Sequence, residues 1–466
     1  MLTDQMMVDA YTGLGGFRSG DYLVRHPREL DDKYKARKEL ATYRNYCRKV
    51  LGAYVGTLFS APAKRTGDAP AWVALQANAD GVGGPIESVM RRALLLSMLV
   101  GTVYLVVDRP AGQARTRADE LARAPYVVIR RPTDVAALAL DRLGAVARVV
   151  FREQAGGAVY GAAMPTDVGF IYRGWDAAQW WVARDALGQD LCTDPETGAL
   201  MRGQHGLGRV PVIRLHSTEL MDLTAERAAP WAEPIVGACL DLFNRHSEAR
   251  SIERDQTVST LALPVSDPAE AERIREAGLT IGAANAVMYN PAGGGSPAYF
   301  APPDGPLTLY YAAIAQTVVE IYEIANLEFT GGVAKSGVAL AFHFQAANRT
   351  LGLFAAALET AERQVGALAC AWDGQDAAEL QSQYPRTFDV QDLAARLKED
   401  LDALTGGMGV TAERLVRQRM ARRVLGDAAS PGDYAQIDAE LLAGADPYAT
   451  RIVQEAGLPA ATVVTP

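Results

Sequence analysis

The stretch FTGGVAKSGVAL, residues 329–340, brings together a glycine pair, Gly331 and Gly332, and a Lys335–Ser336 step ahead of an apolar run. Glycines let backbone N–H groups curl round a phosphate, and a lysine behind them would neutralise it. The spacing is wrong for that chemistry. A nucleotide loop reads G-x-x-x-x-G-K-[ST], and with Lys335 as its lysine the glycines would have to stand at Ala334 and Phe329. A buried strand should also lead into such a loop. Here Leu309, Ala313, Val318, Ile321, Tyr322 and Ile324 recur at helical spacing, so a helix leads in. Residues 329–337 therefore read as a Gly-rich turn between two helices, with a nucleotide-hydrolysing loop as the alternative. No other catalytic constellation emerges. Ser336 lacks the glycine a nucleophile elbow needs, since Ala334 occupies that position. His26, His205, His216, His246 and His343 are scattered, without H-E-x-x-H or other metal spacing. His343 falls on the apolar face of a long helix, as a core or interface histidine would. AGGGS at 292–296 follows no Rossmann pattern and reads as a loop. The expectation is a protein that is not an enzyme and uses no cofactor and no metal.

Composition narrows the class. The 466 residues are 49% hydrophobic and 22% charged, which is globular rather than disordered, and allow two to four domains or one elongated subunit. The formal net charge is −9. Affinity for nucleic acid comes from neutralising phosphates, so this chain does not coat DNA; it would touch DNA loosely or through local basic spots. Cys47, Cys192, Cys239 and Cys370 stand far apart with no CxxC, and MLTDQMMVDAYTG carries no secretory signal, which fits a reducing cytoplasm. The longest apolar run, residues 93–108, is shorter than the ~20 residues a membrane span needs and reads as a helix end entering a buried strand.

The elements follow from periodicity. Residues 29–65 show a helical stripe of Tyr43, Tyr46, Val50, Leu51, Tyr54, Val55 and Leu58, closed by Pro62. A second helix covers 84–100. From 101 to 217, short β-rich runs (GTVYLVVDRP, PYVVIRRP, ARVVFREQ, GAVYGAAM, GFIYRGW, QWWVARD, VPVIRLHS) predict a mostly antiparallel sheet region or partial barrel. A helix then runs between Pro234 and Pro264. Residues 263–305 form a compact insert with one short helix and one or two strands. A helix at about 306–328 leads through the Gly turn to a helix of about 35 residues. The rest is helical, with Val390, Leu393, Leu397, Leu401 and Leu404 near heptad spacing, a helix beginning at an N-capping Thr411, and a short helix in SPGDYAQIDAELLAG. The fold class is α+β, mainly helical.

This order of elements, with particular stretches, resembles a tailed-bacteriophage portal protein, the head-to-tail connector ring at one capsid vertex through which DNA passes. YRNYCRKVLGAYVGTLFSAPAKR, with its Phe59-x-x-Pro62 step, is similar to the family's N-terminal helix. GTVYLVVDRP and PYVVIRRPTDV are similar to paired wing strands. The stretch AEPIVGACLDLFNRHSEARSIERDQTVSTLALPV, with Asn244 near its middle, resembles the first stem helix. KSGVALAFHFQAANRTLGLFAAALETAERQV, entered through Ser-Gly-x-Ala-Leu, is the most specific likeness. The resemblance covers most of 29–372 and implies a β-rich wing at 1–231 and stem helix 1 at 232–262. It places a clip at 263–305, stem helix 2 at 306–328 and a tunnel loop at 329–337. A long wing helix at 338–384 and a helical crown with its tail at 385–466 complete it. It further implies a homo-oligomeric ring of about twelve copies in the virion, assembled in the host cytoplasm. Its partners would be double-stranded DNA held without sequence reading, the large subunit of the terminase packaging motor, the major capsid or scaffolding protein, and neck or adaptor proteins; no membrane is involved.

Ring closure needs two different complementary faces on each subunit. In LGLFAAALETAERQVGALACAW, Ala355, Ala356, Ala357, Ala361, Ala367 and Ala369 alternate with Leu351, Leu353, Phe354, Leu358 and Leu368, so one side of that helix could admit a close neighbour while the other anchors it; an ordinary buried helix fits the pattern equally. Thr330, Gly331, Gly332, Val333, Lys335 and Ser336 are the residues expected to line the DNA channel. Gly331 and Gly332 would supply mobility, Val333 a small tip and Lys335 a single cation per copy, so that DNA slides rather than sticks. Glu270, Arg273 and Arg275, in a mixed-charge helix with Glu272 and Glu276, are the expected clip contacts with partners. Arg414, Arg417, Arg419, Arg422 and Arg423 make a basic helix. Balance against LKEDLD on the preceding helix explains it; contact of Arg414, Arg417 and Arg422 with packaged DNA is the sharper reading.

Overall fold

The computed structural model describes residues 2–110, 123–154, 169–194, 198–257, 260–265, 267–276, 286–290, 295–300, 305–327, 337–377, 379–385, 400–404, 409–425 and 431–442. The chain divides into two compact units, Met1–Phe388 and Asp389–Pro466. The first opens with α1 (Asp4–Thr12), α2 (Gly16–Ser19), α3 (Asp31–Leu40) and α4 (Tyr46–Leu58), then strand β1 (Lys64–Thr66), α5 (Pro70–Ala77) and α6 (Ile86–Val100). The β-rich stretch holds β2 (Thr102–Asp108), β3 (Tyr126–Arg130), β4 (Val135–Leu140), β5 (Val146–Gln154), β6 (Phe170–Asp176), β7 (Gln179–Ala183), β8 (Arg202–Gln204) and β9 (Val212–His216). After it come α7 (Glu233–Thr257), β10 (Thr260–Pro264), α8 (Pro268–Glu276), β11 (Ala286–Tyr289), β12 (Ala298–Phe300), α9 (Gly305–Ile324), α10 (Gly337–Trp372) and β13 (Gln381–Gln383). The second unit contains α11 (Val410–Leu425) and α12 (Pro431–Leu442). The fold is α+β and mainly helical.

Strand β2 shows why the run at 93–108 is so apolar. Its neighbours are antiparallel β3 and β9. Val103, Leu105 and Val107 enter the main core, built on α1, α4, α6, α7 and α10, while Tyr104 and Val106 enter a second core with Phe151 and Trp175 beneath the five-stranded antiparallel sheet β4-β5-β6-β7-β8. A strand buried on both faces reads as a continuous hydrophobic run. The chain passes from α6 into β2 at Gly101, where φ is +81° and a Cβ would stand 2.0 Å from the Ala228 carbonyl oxygen, so no larger residue fits.

Helix α10 runs for 36 residues and contributes to the main core from Ala347 to Cys370. It buries Leu351, Phe354, Leu358, Val365 and Leu368, and at Gly366 it lets Trp72 of α5 close to within 2.9 Å of where a Cβ would sit. It also buries a charge. Glu362 is fully enclosed and accepts hydrogen bonds from Arg65 Nε (2.6 Å) and Nη2 (3.2 Å), Ser382 Oγ (2.6 Å) and Tyr384 Oη (2.5 Å). The acceptor is saturated, which is what allows it inside. Burial and the Glu362 carboxylate together hold the Tyr384 hydroxyl far above its ordinary pKa. The network ties the antiparallel pair β1–β13 to α10.

Several expectations shift. The stripe at 29–65 is two helices, because Asn45 caps α4 by accepting from the Arg48 N–H at 2.7 Å and Tyr43 turns inward to donate to the Ala10 carbonyl at 2.9 Å. The helix expected up to Pro264 stops at Thr257, and Thr260–Pro264 instead forms the centre of a three-stranded sheet, parallel to β11 and antiparallel to β12. The helix expected to start at a Thr411 cap begins at Val410, after Gly409 with φ +85°. The expected strand GAVYGAAM and most of the 390–404 stripe lie outside the described residues.

Two outcomes follow for stability. Glu362→Ala leaves dehydrated Arg65 with only Glu87, 4.0 Å away, and should cost about 3–5 kcal/mol, while the double change with Arg65→Met recovers most of that loss. Denaturation followed by tryptophan fluorescence measures it in the first unit, since all six tryptophans lie there. His216 pairs with Thr102 across β9 and β2, and burial, reinforced by Arg214, pushes its pKa down to about 4. The folded state favours the neutral ring, so its contribution is intact above the unfolded value near 6.5 and is lost as pH falls from there towards 4. His246, lowered by burial and by Arg44 and Arg250, acts in the same direction. His216→Gln should reduce the acid slope of stability by up to about 1.4 kcal/mol per pH unit in that window, read from urea midpoints at pH 7, 6 and 5.

Candidate functional site

The helices α7 and α9 lie against one another and carry the segment that the sequence singles out. Helix α7 is pinned to the N-terminal segment along its length. The Asn244 side chain accepts from the Val24 N–H at 2.7 Å and donates to the Leu240 carbonyl at 2.9 Å. Arg250 donates to the Leu40 carbonyl (2.9 Å) and Thr42 Oγ1 (2.8 Å). Arg37, almost entirely buried, reaches from α3 towards Ser247 and is neutralised by Glu29 at 2.8 Å. Tyr310 of α9 donates to Glu248 of α7 at 2.7 Å, and Tyr311 to Glu253.

Helix α9 ends by design of its sequence. Asn326 adopts φ +51°, the one left-handed non-glycine among the described residues; its N–H donates to the Glu323 carbonyl at 3.0 Å and the next N–H, of Leu327, to the Tyr322 carbonyl at 2.9 Å. These are the two bonds of a Schellman stop with asparagine in the glycine position. Tyr54 of α4 fixes the same corner by donating to the Ala325 carbonyl at 2.5 Å. The helix stops at Ile324, short of residue 328, and the chain is next described from Gly337. Thr330, Gly331, Gly332, Val333, Lys335 and Ser336 thus lie outside the described residues, as does the side chain of His343.

The apolar stripe of α9 differs from the one read in the sequence. Ile314, Val318, Ile321, Tyr322 and Ala325 face the core, but Leu309 is 72% exposed and Ile324 44%. Leu309 precedes Ile314 by five residues, about 140° round a helix, so the two cannot share a face. Ile324, fifteen residues on and about 60° round, shares this outward side with Leu309, whereas Tyr311, about 200° round, lies on the core side and bonds Glu253 of α7. Helix α10 behaves alike: Leu351, Phe354, Leu358 and Leu368 are buried, whereas Leu353 is 59% exposed beside half-buried Ala356 and Ala357. The signal was present in the sequence as apolar residues falling off the core stripe.

The other candidates are placed as follows. Asp267 caps α8 by accepting from the Glu270 N–H at 2.8 Å, and Arg273 of the same helix is exposed, its Nε 3.3 Å from the Ala269 carbonyl; the Arg275 side chain lies outside the described residues. In the second unit Arg419 pairs with Asp400 of LKEDLD, and Arg422 with Asp438 at 2.8 Å, so part of the basic helix is neutralised within its own unit. Arg414 and Arg417 are half-buried on α11, and the Nε of Arg414 is enclosed without a hydrogen-bond partner. Among the described residues no group of three or more His, Cys, Asp or Glu could hold a metal ion, and no helix is long and apolar enough to cross a membrane.

No family model matches the chain, and no curated protein does. Among solved structures it is similar to a chain of the virion of a native gene transfer agent particle, at 13% identity and a TM-score of 0.39, covering 98% of this chain and 100% of that one. It is also similar to a chain from the neck of an empty gene transfer agent particle, at 12% identity and a TM-score of 0.40, covering 89% and 99%. At such TM-scores neither likeness bears on what the chain does.

The helix stop at Asn326 is directly testable. Asn326→Gly should leave stability unchanged within about 0.5 kcal/mol, whereas Asn326→Val, β-branched in a left-handed position, should cost about 1–2 kcal/mol in thermal or urea unfolding of the purified protein.

Proposed function

We infer that this chain is the subunit of a phage portal: a ring, of about twelve copies, at one capsid vertex, through which double-stranded DNA is packaged and ejected. The observation that carries the reading is the pair of outward apolar sides on α9 and α10. Leu309 and Ile324 on one helix and Leu353 on the other are exposed, off the sides by which these helices enter the core. Exposed apolar stripes on long helices fit packing against another subunit, and heterologous packing closes rings. The order of elements supports the same reading, with a pinned helix α7, a small sheet and helix at 260–300, a return helix α9 and then a 36-residue helix.

In this reading α7 and α9 are the stem, 263–305 the clip that meets the packaging motor and later the neck proteins, and 329–337 the loop that faces DNA. Thr330, Gly331, Gly332, Val333, Lys335 and Ser336 contact the duplex backbone without reading bases, one cation per copy keeping the grip weak. Glu270, Arg273 and Arg275 are clip contacts, and Arg414, Arg417 and Arg422 are the candidates for touching DNA at the crown, Arg422 doing so only by leaving Asp438. The chain works within the virion, incorporated with capsid or scaffolding protein, and has no catalytic step of its own.

Negative-stain images and native mass of the purified full chain should show a closed ring of about twelve copies without nucleotide turnover. A stable single chain that hydrolyses ATP would overturn the assignment in favour of an enzyme using 329–337. Within assembled particles, Lys335→Glu and Gly332→Pro should slow DNA packaging or impair retention; unchanged packaging and retention would remove the loop from the channel.

A further inference from the structure

Strand β9 is an edge of its three-stranded sheet. Beside it lie two adjoining cavities of about 470 and 570 Å³, which share Arg214, His216, Leu220, Leu223 and Gln364 in their walls. The larger is closed on its other side by α10, through Leu353, Ala356, Ala357 and Thr360. Most of the combined lining is aliphatic; Arg214 stands in both cavities, Arg209 in the smaller, and the larger also holds Glu219, an exposed carboxylate that makes no ion pair with Arg214.

The polar groups here do not balance. Thr102 is fully buried, and its Oγ1 accepts from the Ala228 N–H at 2.9 Å. Its own proton needs an acceptor, and His216 Nδ1 at 2.8 Å provides it. The hydrogen of the neutral imidazole is then on Nε2. That atom lies 3.4 Å from Arg214 Nη2, which is also a donor. Arg214 Nη1 is enclosed and has no hydrogen-bond partner, and among the described residues Arg214 makes no ion pair. Burial lowers its pKa, as expected of a dehydrated cation lacking a counter-ion. Donors thus converge on one place, neither Glu219 nor Gln364, the acceptors in the walls, pairs with Arg214, and dehydrating a guanidinium without a partner is costly.

We propose that Arg214 and His216 receive an Asp or Glu side chain from a neighbouring copy of this chain, which seats itself in the groove between β9 and α10. A carboxylate is the acceptor that matches a guanidinium fork, and a turn about the side-chain torsions presents either terminal nitrogen to it. A protein surface fits better than a free anion because the groove's rim is apolar: Leu223 is 61% exposed, Leu353 59% and the adjacent Met221 98%. A hydrated ion would leave that rim in water, whereas a protein side covers it. A second copy fits because the groove continues the outward side of α10, where Ala356 and Ala357 admit close approach, and because the chain carries 55 acidic residues against 46 basic ones. The inference rests on the ring reading and names the pairing within it.

The test uses the full-length chain. Arg214→Gln should raise the concentration needed for half-assembly by roughly 30-fold, the scale for truncating one partner of a buried charge pair. Leu353→Asp, on the exposed rim where folding is not at stake, should impair assembly while leaving the circular dichroism and thermal midpoint of the single chain unchanged. In rings mixed from light and heavy-isotope copies, Arg214→Lys treated with a carbodiimide should give an isopeptide bond between the introduced amine and an Asp or Glu of the other isotope. A bond confined to one copy, or none, overturns the proposal. So does inorganic phosphate that stabilises the single chain through Arg214. If the unaltered chain forms rings and the Arg214→Gln and Leu353→Asp variants form them equally well, this pairing fails while the ring stands; an unaltered chain that stays single overturns both.

Discussion

A helix of 36 residues extends about 54 Å, and a chain that packs against one side of it leaves the other side to be dealt with. That constraint governs the first unit. Helix α10 meets α5, α6, β2 and β9 along its inner side, and its register is set there by features that tolerate little displacement: Gly366 under Trp72, the enclosed Glu362 with its four hydrogen bonds, and the Trp372 Nε1–H donated to the Val107 carbonyl at 3.0 Å. Arg109 closes the end, donating to the Trp372 carbonyl at 2.8 Å and pairing with Asp373 at 2.9 Å. With the inner side so fixed, Leu353 and its small neighbours have no freedom to rotate inward. Their exposure is a consequence of the packing and not of a loose helix.

The sequence was informative wherever a single periodicity decided the outcome. The antiparallel β region, the second helix, the long helix and the absence of a nucleotide loop's spacing all follow from one pattern at a time. It misled where local chemistry overrode periodicity. A capping asparagine at 45 breaks an otherwise continuous stripe, and an asparagine at 326 ends a helix whose apolar residues run on. At 260–264 the residues suit either element, and only pairing with 286–289 and 298–300 makes them a strand. Leu309 joins the helical stripe by its type, but its angular position sets it off the core side. The Arg214–His216–Thr102 arrangement was not legible at all, because it joins residues 114 positions apart through a buried hydroxyl, and no spacing encodes that.

Charge is distributed with the same economy. Where a cation is enclosed in the first unit, a carboxylate generally encloses with it, as Arg37 with Glu29 and Arg65 with Glu362. In the second unit, Arg419 and Arg422 of the basic helix are paired to Asp400 and Asp438. Against that background Arg214 is an exception, enclosed at Nη1 without a hydrogen-bond partner and making no ion pair among the described residues. A folded chain keeps such a group when the missing partner comes from elsewhere, since replacement by an aliphatic residue would otherwise be the stabler solution.

The attachments of α7 and α9 also bear on how a ring of such subunits could change shape. Asn244, Arg250 and Tyr54 fasten these two helices to the N-terminal segment and to α4. The chain that leaves α9 does so from a corner held by a Schellman stop and by Tyr54 at once. A displacement of that corner therefore has to break the buried Tyr54–Ala325 hydrogen bond or carry α4 with it, and α4 is part of the core that also seats α10. In the proposed ring, the start of the DNA-facing loop is thus coupled to the body of the subunit, and the groove at Arg214 lies on that same body. Rearrangement at the channel would be transmitted as movement of whole subunits at their mutual contacts, because the packed interior between the two places has no slack to absorb it.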